Sequence, residues 1–160
     1  MNRIKVEVDF LDFIRTGTFG FLKLGESKTE IINQGFPPED WVHGETIESS
    51  RVWRYGNIEL HFIDRDTLSG IYTDYISSID CGENVIVSNW WIIPNGKEVP
   101  SLLQTIKELN TQHLDYTKST SIIGNIELVL PNGVYFMFCQ PDEKIDEDMN
   151  KWTLAAIGKR

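Results

Sequence analysis

An α+β fold, a predominantly antiparallel sheet with helices packed on one face, is what three features of this 160-residue chain predict. First, Ile58, Leu60 and Phe62 alternate with Glu59 and His61, the period-two pattern of a strand with one dry and one wet face. Second, from Glu98 to Gln112 the residues Val99, Leu102, Leu103, Ile106 and Leu109 form one apolar stripe at helical spacing. Third, Gly56-Asn57-Ile58-Glu59-Leu60 returns as Gly124-Asn125-Ile126-Glu127-Leu128, each copy followed by another apolar, strand-like run. That recurrence predicts a tandem duplication of a helix-plus-meander unit, with repeat halves 1–80 and 81–160 inside a single domain, 1–160. A chain of this length buries a sizeable core without help from metals or disulfides.

Taken in order, Val8, Phe10, Leu11, Phe13 and Ile14 predict a short amphipathic helix over Glu7 to Arg15, with an extended Ile4-Val6-Val8 alternation before it. Gly17 and Gly20 end it, because glycine adopts the left-handed conformation that closes a helix. Ser27 caps a second short helix with Glu30 in capping-box spacing. Pro37 and Pro38 cannot stay helical, so Gly35 to Trp41 reads as an ordered turn. Strands follow at Arg51 to Tyr55, Ile58 to Ile63 and Leu68 to Tyr75, joined by the Gly56-Asn57 turn and by residues 64–67. In the second half, residues 85–87 and 90–93 are extended up to the Pro94-Asn95-Gly96 turn, and the helix from Glu98 tolerates Pro100 in its first turn. Thr120 to Ile123, Asn125 to Leu130 and Val134 to Cys139 are predicted strands. Asp142 to Asp148 is an acidic bend, and Lys151 to Ile157 reads as a last strand or a helix.

Apolar residues make up 41% of the chain and aromatics 11%, which is core-forming composition. Formal charge is −9, and residues 1–80 hold 8 Lys+Arg against 14 Asp+Glu. Such a balance argues against nucleic acid as a direct ligand, since phosphates need a basic stripe, and makes a basic protein the complementary partner. Cys81 and Cys139 form no framework, and no window approaches a membrane span. A reduced, cytoplasmic home without membrane contact is expected. No metal or other cofactor is expected either, because His43, His61 and His113 lack metal-ligand spacing. Residues 64–75 begin like a calcium loop but place Leu68 at a ligand position and Tyr75 at the closing glutamate. No nucleophile elbow or phosphate loop is present, so no catalytic residue is assigned; Glu59 and His61 share one strand side as a polar pair.

One stretch carries a family resemblance. Leu11-x-x-Ile14-Arg15-Thr16-Gly17-x-Phe19-Gly20-x-Leu22-x-Leu24-Gly25, then Pro37-Pro38-Glu39-Asp40-Trp41 and Trp53-Arg54-Tyr55-Gly56-Asn57-Ile58-Glu59-Leu60-His61-Phe62, resembles small bacterial immunity proteins of toxin systems, including contact-dependent growth inhibition. Its local pattern is also similar to the helix-plus-sheet module of the β-lactamase inhibitor protein and of small outer-membrane assembly lipoproteins. The resemblance covers residues 11–75 and implies a non-enzymatic protein that neutralises a toxin by binding it, a basic nuclease-like toxin domain being the natural partner. Aromatics anchor tight interfaces and carboxylates steer cationic partners, which nominates Asp40, Trp41, Glu45, Glu48, Asp64, Asp66, Tyr72, Asp74, Tyr75 and Trp90. Trp53 and Tyr55 are expected in the core, and an adjacent Trp90-Trp91 pair puts one ring on each strand face. The alternatives are a scaffold module that forms oligomers, and a small-molecule binding domain or hydrolase. The partner-binding readings allow a monomer or a homodimer.

Overall fold

A computed structural model describes residues 5–89, 98–140 and 148–160. Its main body is an eight-stranded antiparallel sheet. The first meander comprises β2 (Asp40–Val42), β3 (Val52–Tyr55), β4 (Ile58–Ile63) and β5 (Thr67–Thr73). The second comprises β7 (Thr117–Thr120), β8 (Ile126–Val129), β9 (Val134–Cys139) and β10 (Thr153–Lys159). They join along a β5–β10 seam, giving the order β2-β3-β4-β5-β10-β9-β8-β7. Apart from this sheet, β1 (Val6–Asp9) and β6 (Val85–Ser88) pair in parallel. The α+β class with a mainly antiparallel sheet is therefore as expected. Residues 90–97 and 141–147, including Trp90 and Trp91, lie outside the described residues.

Three helices supply the apolar cover: α1 (Phe10–Thr16), α2 (Lys28–Asn33) and α3 (Leu102–Thr111). Phe10, Phe13, Ile31, Leu102 and Leu109 join one core with Trp53, Leu60, Phe136 and Ile157 from the sheet. Local chemistry fixes the helix ends. Asp9 accepts from the Asp12 amide at the start of α1, and Gly17, at φ 75°, closes it by donating to the Phe13 carbonyl. Ser27 with Glu30 and Ser101 with Gln104 each make a reciprocal capping box. Trp53 and Tyr55 are buried as expected, their polar atoms bonded to the carbonyls of Ile47 (2.7 Å) and Phe36 (2.6 Å).

The same contacts recur on both sides of the seam. Ser27 bridges Thr67 as Ser101 bridges Thr153. The Leu68 and Leu154 amides donate to the carbonyls of Glu26 (2.9 Å) and Pro100 (3.0 Å). Those of Lys28 and Leu102 donate to Asp66 (3.1 Å) and Trp152 (2.8 Å). The strands concerned read Thr67-Leu68-Ser69-Gly70-Ile71 and Thr153-Leu154-Ala155-Ala156-Ile157, and the register shifts around Ser69 in one and Ala155 in the other. Both bulges twist the sheet at matching places. By contrast, the two copies of Gly-Asn-Ile-Glu-Leu lie on strands with different neighbours. One opens β4, which borders the seam strand β5, whereas the other opens β8, separated from β10 by β9. Both copies supply a left-handed glycine at a hairpin turn, Gly56 at φ 56° and Gly124 at φ 88°, so their likeness reports turn chemistry at non-equivalent places.

Several boundaries differ from the sequence reading. Glu7, Val8 and Asp9, expected in the first helix, belong to β1 because they pair with β6, and α1 begins at Phe10. Asp40–Val42 is a strand where a turn is expected, because it pairs with β3. The second-half helix begins at Leu102, after its cap. Thr120 to Ile123 is mostly a turn, closed by the Ser121 amide donating to the Asn125 carbonyl at 2.7 Å. Of the strand and the helix left open for the C-terminal segment, residues 153–159 take the strand, the one that completes the seam.

Candidate functional site

Strand alternation sends every second residue to the face away from the helices. Cross-strand register there lines up Asp40, Arg54, Glu59, Tyr72, Gly158, Tyr135, Val129 and Thr117, one from each strand. At its centre, β5 and β10 carry Gly70 and Gly158. A Cβ on Gly158 would lie 2.5 Å from both the Ile71 carbonyl oxygen and the Tyr135 hydroxyl, so glycine is what lets that phenol lie across β10. The result is an open depression of about 200 Å³ walled by His61, Tyr72, Tyr135 and Arg160.

The walls are held by polar pairs. His61 Nε2 and Glu59 Oε2 are 2.9 Å apart, and the imidazole stands edge-on to the Tyr72 ring at 6.2 Å between centroids. The Arg160 guanidinium lies 4.4 Å above the Tyr135 ring and grips both carboxylate oxygens of Glu127. Partial burial raises the Tyr72 phenol above its ordinary pKa, helped by the carboxylates of Asp74 and Glu59. Burial likewise raises Tyr135, with Arg160 pulling the other way.

Two further depressions flank this centre. Toward the Gly56 turn, about 260 Å³ is lined by Arg54, Asn57, Glu59, Asp74 and Tyr75. Arg54 there donates to Asp40 at 3.2 Å, while its Nε has no hydrogen-bond partner among the described residues. At the opposite end, about 550 Å³ is lined by His43, Arg51, His61 and Arg65 around Val52 and Phe62. Behind that end the ammonium of Lys28, only 4% exposed, donates to the carbonyls of Glu48 (2.7 Å) and Ser50 and sits 5.0 Å from the Phe62 ring centroid. Burial lowers its pKa, partly opposed by Asp66 and Glu48.

The nominated residues separate into groups. Asp40, Tyr72, Asp74 and Tyr75 come together with Arg54 and Glu59 at one end of the first meander. Trp41 does not join them: it pairs with buried Trp53 and so lies on the helix side, 37% exposed at the sheet edge. Glu45, Glu48, Asp64 and Asp66 are exposed around the far end, beside the basic depression. Composition did not point to that basic cluster, nor to Tyr135 and Arg160. Alternation along β9 could have found Tyr135; Lys28 gave no local signal, since lysine in a first helical turn ordinarily faces water.

Among the described residues no three His, Cys, Asp or Glu side chains are placed to hold a metal, and no helix is long and apolar enough to cross a membrane. Cys81 and Cys139 are free thiols, burial pushing Cys81 up to about 12. Comparison with known protein families, curated proteins and solved structures gave no match, so the likeness to toxin-immunity proteins rests on the sequence pattern alone.

Proposed function

We propose that this chain is a non-enzymatic inhibitor of the immunity type, which neutralises a cognate toxin in the cytoplasm by docking the outer face of its first meander onto it. The observation that carries this reading is the end patch. Tyr75 is 62% exposed beside Glu59, whose cross-strand partner is Tyr72, and the carboxylates of Asp40, Glu59 and Asp74 outnumber the one guanidinium of Arg54. Aromatic rings are stiff anchors, Tyr72 on β5 and Tyr75 just beyond its end, and the surplus negative charge steers a basic toxin domain and obstructs its anion-binding cleft. The test is binding to the toxin domain encoded beside this chain's gene, followed by calorimetry and by association kinetics under rising salt. Tyr75→Ala is expected to weaken the complex about tenfold or more, and Asp74→Lys to slow association with a flatter salt dependence. Wild-type binding by both variants, or no complex at all, overturns the proposal.

A second reading, self-association, is favoured by one feature of the other half. Edge strand β7 is exposed along its length, and the turn beyond it presents Ile122 and Ile123 at 106% and 82% exposure. An open edge with an apolar tip suits strand addition. Light scattering decides it: a dimer that Ile122→Lys with Ile123→Lys converts to monomer favours this reading, and a monomeric wild type removes it.

A further inference from the structure

We infer that the depression at the end of β2, β3 and β4 is a binding site for a small molecule bearing a di- or triphosphate group. Four groups able to carry positive charge, His43, Arg51, His61 and Arg65, line it without a carboxylate among them. This occurs in a chain with 24 Asp+Glu against 15 Lys+Arg, where random placement would favour acidic neighbours. Arg51 and Arg65 have no ion-pair partner among the described residues, although Asp64 and Asp66 flank Arg65 in sequence. Glu59, which lies outside the lining, is engaged by His61 at 2.9 Å.

Backbone geometry builds the rim. His43 (φ 60°), Asp64 (φ 51°) and Arg65 (φ 61°) all adopt the left-handed conformation that side chains ordinarily avoid. Asp64 and Arg65 form the tight β4–β5 turn, closed by the Asp66 amide donating to the Ile63 carbonyl at 3.1 Å. His43 follows the last β2 pair, Val42 with Val52, and therefore stands beside Arg51, the residue just before β3. Beneath the charged groups lies Val52, 6% exposed and the register partner of His61, whereas the Phe62 ring turns to the other side of the sheet, against Trp53. Guanidinium forks match phosphate oxygens bidentately, and two of them with two imidazoles around about 550 Å³ suit linked phosphates better than one small ion. Net charge bears on long-range steering, whereas this site acts at contact distance, within the screening length.

The inference is independent of the toxin-binding reading, since neither arginine lies in the end patch. Titration calorimetry of the full chain at physiological salt, with pyrophosphate, tripolyphosphate, a nucleoside triphosphate and citrate as probes, tests it. Saturable one-to-one binding is expected, tighter for tripolyphosphate than pyrophosphate, with citrate much weaker. Arg51→Gln and Arg65→Gln are each expected to weaken it about tenfold, and the lysine variants to fall between, because charge is kept and the fork lost. Both side chains are exposed, and an unchanged circular dichroism spectrum confirms that each variant is folded. Absence of saturable binding, citrate binding as tightly as tripolyphosphate, or full retention in the double glutamine variant would overturn the assignment.

Discussion

Directly after the capping serine, the first half of the molecule places Lys28 and the second half Leu102, both buried and both bonded through their amides to the residue preceding a seam strand. Leucine at that place is ordinary core. The lysine is explained by what lies over it. In the first meander residues 43–51 cross between β2 and β3, and the Lys28 ammonium satisfies two carbonyls of that crossing. In the second meander residues 121–125 close on themselves through Ser121 and Asn125, leaving nothing to tie down. One scaffold thus carries a long, pinned connection on one side and a short, self-contained one on the other. Both candidate ligand surfaces belong to the half with the pinned connection, the basic depression beside it and the acidic aromatic patch at the other end of the same strands.

Substitution at the paired positions breaks or sharpens this contrast. Leu102→Ala should cost about 2–5 kcal/mol by leaving a cavity in the core, read by denaturant unfolding. Lys28→Met should cost less, about 1–2 kcal/mol, because removing a buried charge offsets the lost bonds. Its signature is faster amide exchange confined to residues 43–51; uniform loosening would mean that Lys28 is mere core filling. The two seam glycines give the next contrast. Gly158→Ala meets backbone and the Tyr135 phenol at 2.5 Å, whereas Gly70→Ala meets nothing closer than 3.4 Å. The first should destabilise by about 1–3 kcal/mol and the second by less than about 1 kcal/mol in either direction.

The smallest effect is pH-dependent. The folded chain lowers the Lys28 pKa below 10.5, chiefly by burial. Between the lowered value and 10.5 the unfolded chain holds the proton more firmly than the folded one, so this group makes stability rise with pH across that window and adds no slope below it. The stability difference between wild type and Lys28→Met should therefore grow in favour of wild type as pH approaches 10.5. A flat difference would place the ammonium in contact with water.

What the sequence made readable follows the range of the interactions involved. Strands β3 and β4 lie within a residue of their predicted limits, since alternation and the Gly56-Asn57 turn are local signals. The Ser27 capping box and the Gly17 helix stop are local as well. Strand β2 was hidden because three residues after two prolines become a strand only through pairing with β3. That omission also put Trp41 with Asp40, although neighbours on a strand face opposite ways. Of the end patch, Asp40, Tyr72, Asp74 and Tyr75 could be chosen by residue type. The basic depression could not, because it gathers residues from three strand ends separated in sequence, and whole-chain charge averages it away.

The β5–β10 seam has a consequence for how the chain is made. Strand β10 follows the other seven in sequence yet sits in the middle of the finished sheet, between β5 and β9. During vectorial synthesis the first meander and the β7–β9 strands can pair while the margins of β5 and β9 wait, and the arrival of β10 then joins residues as far apart as Ile71 and Lys159. Such distant pairing is slow, and until it happens two hydrogen-bonding margins are open to other nascent chains.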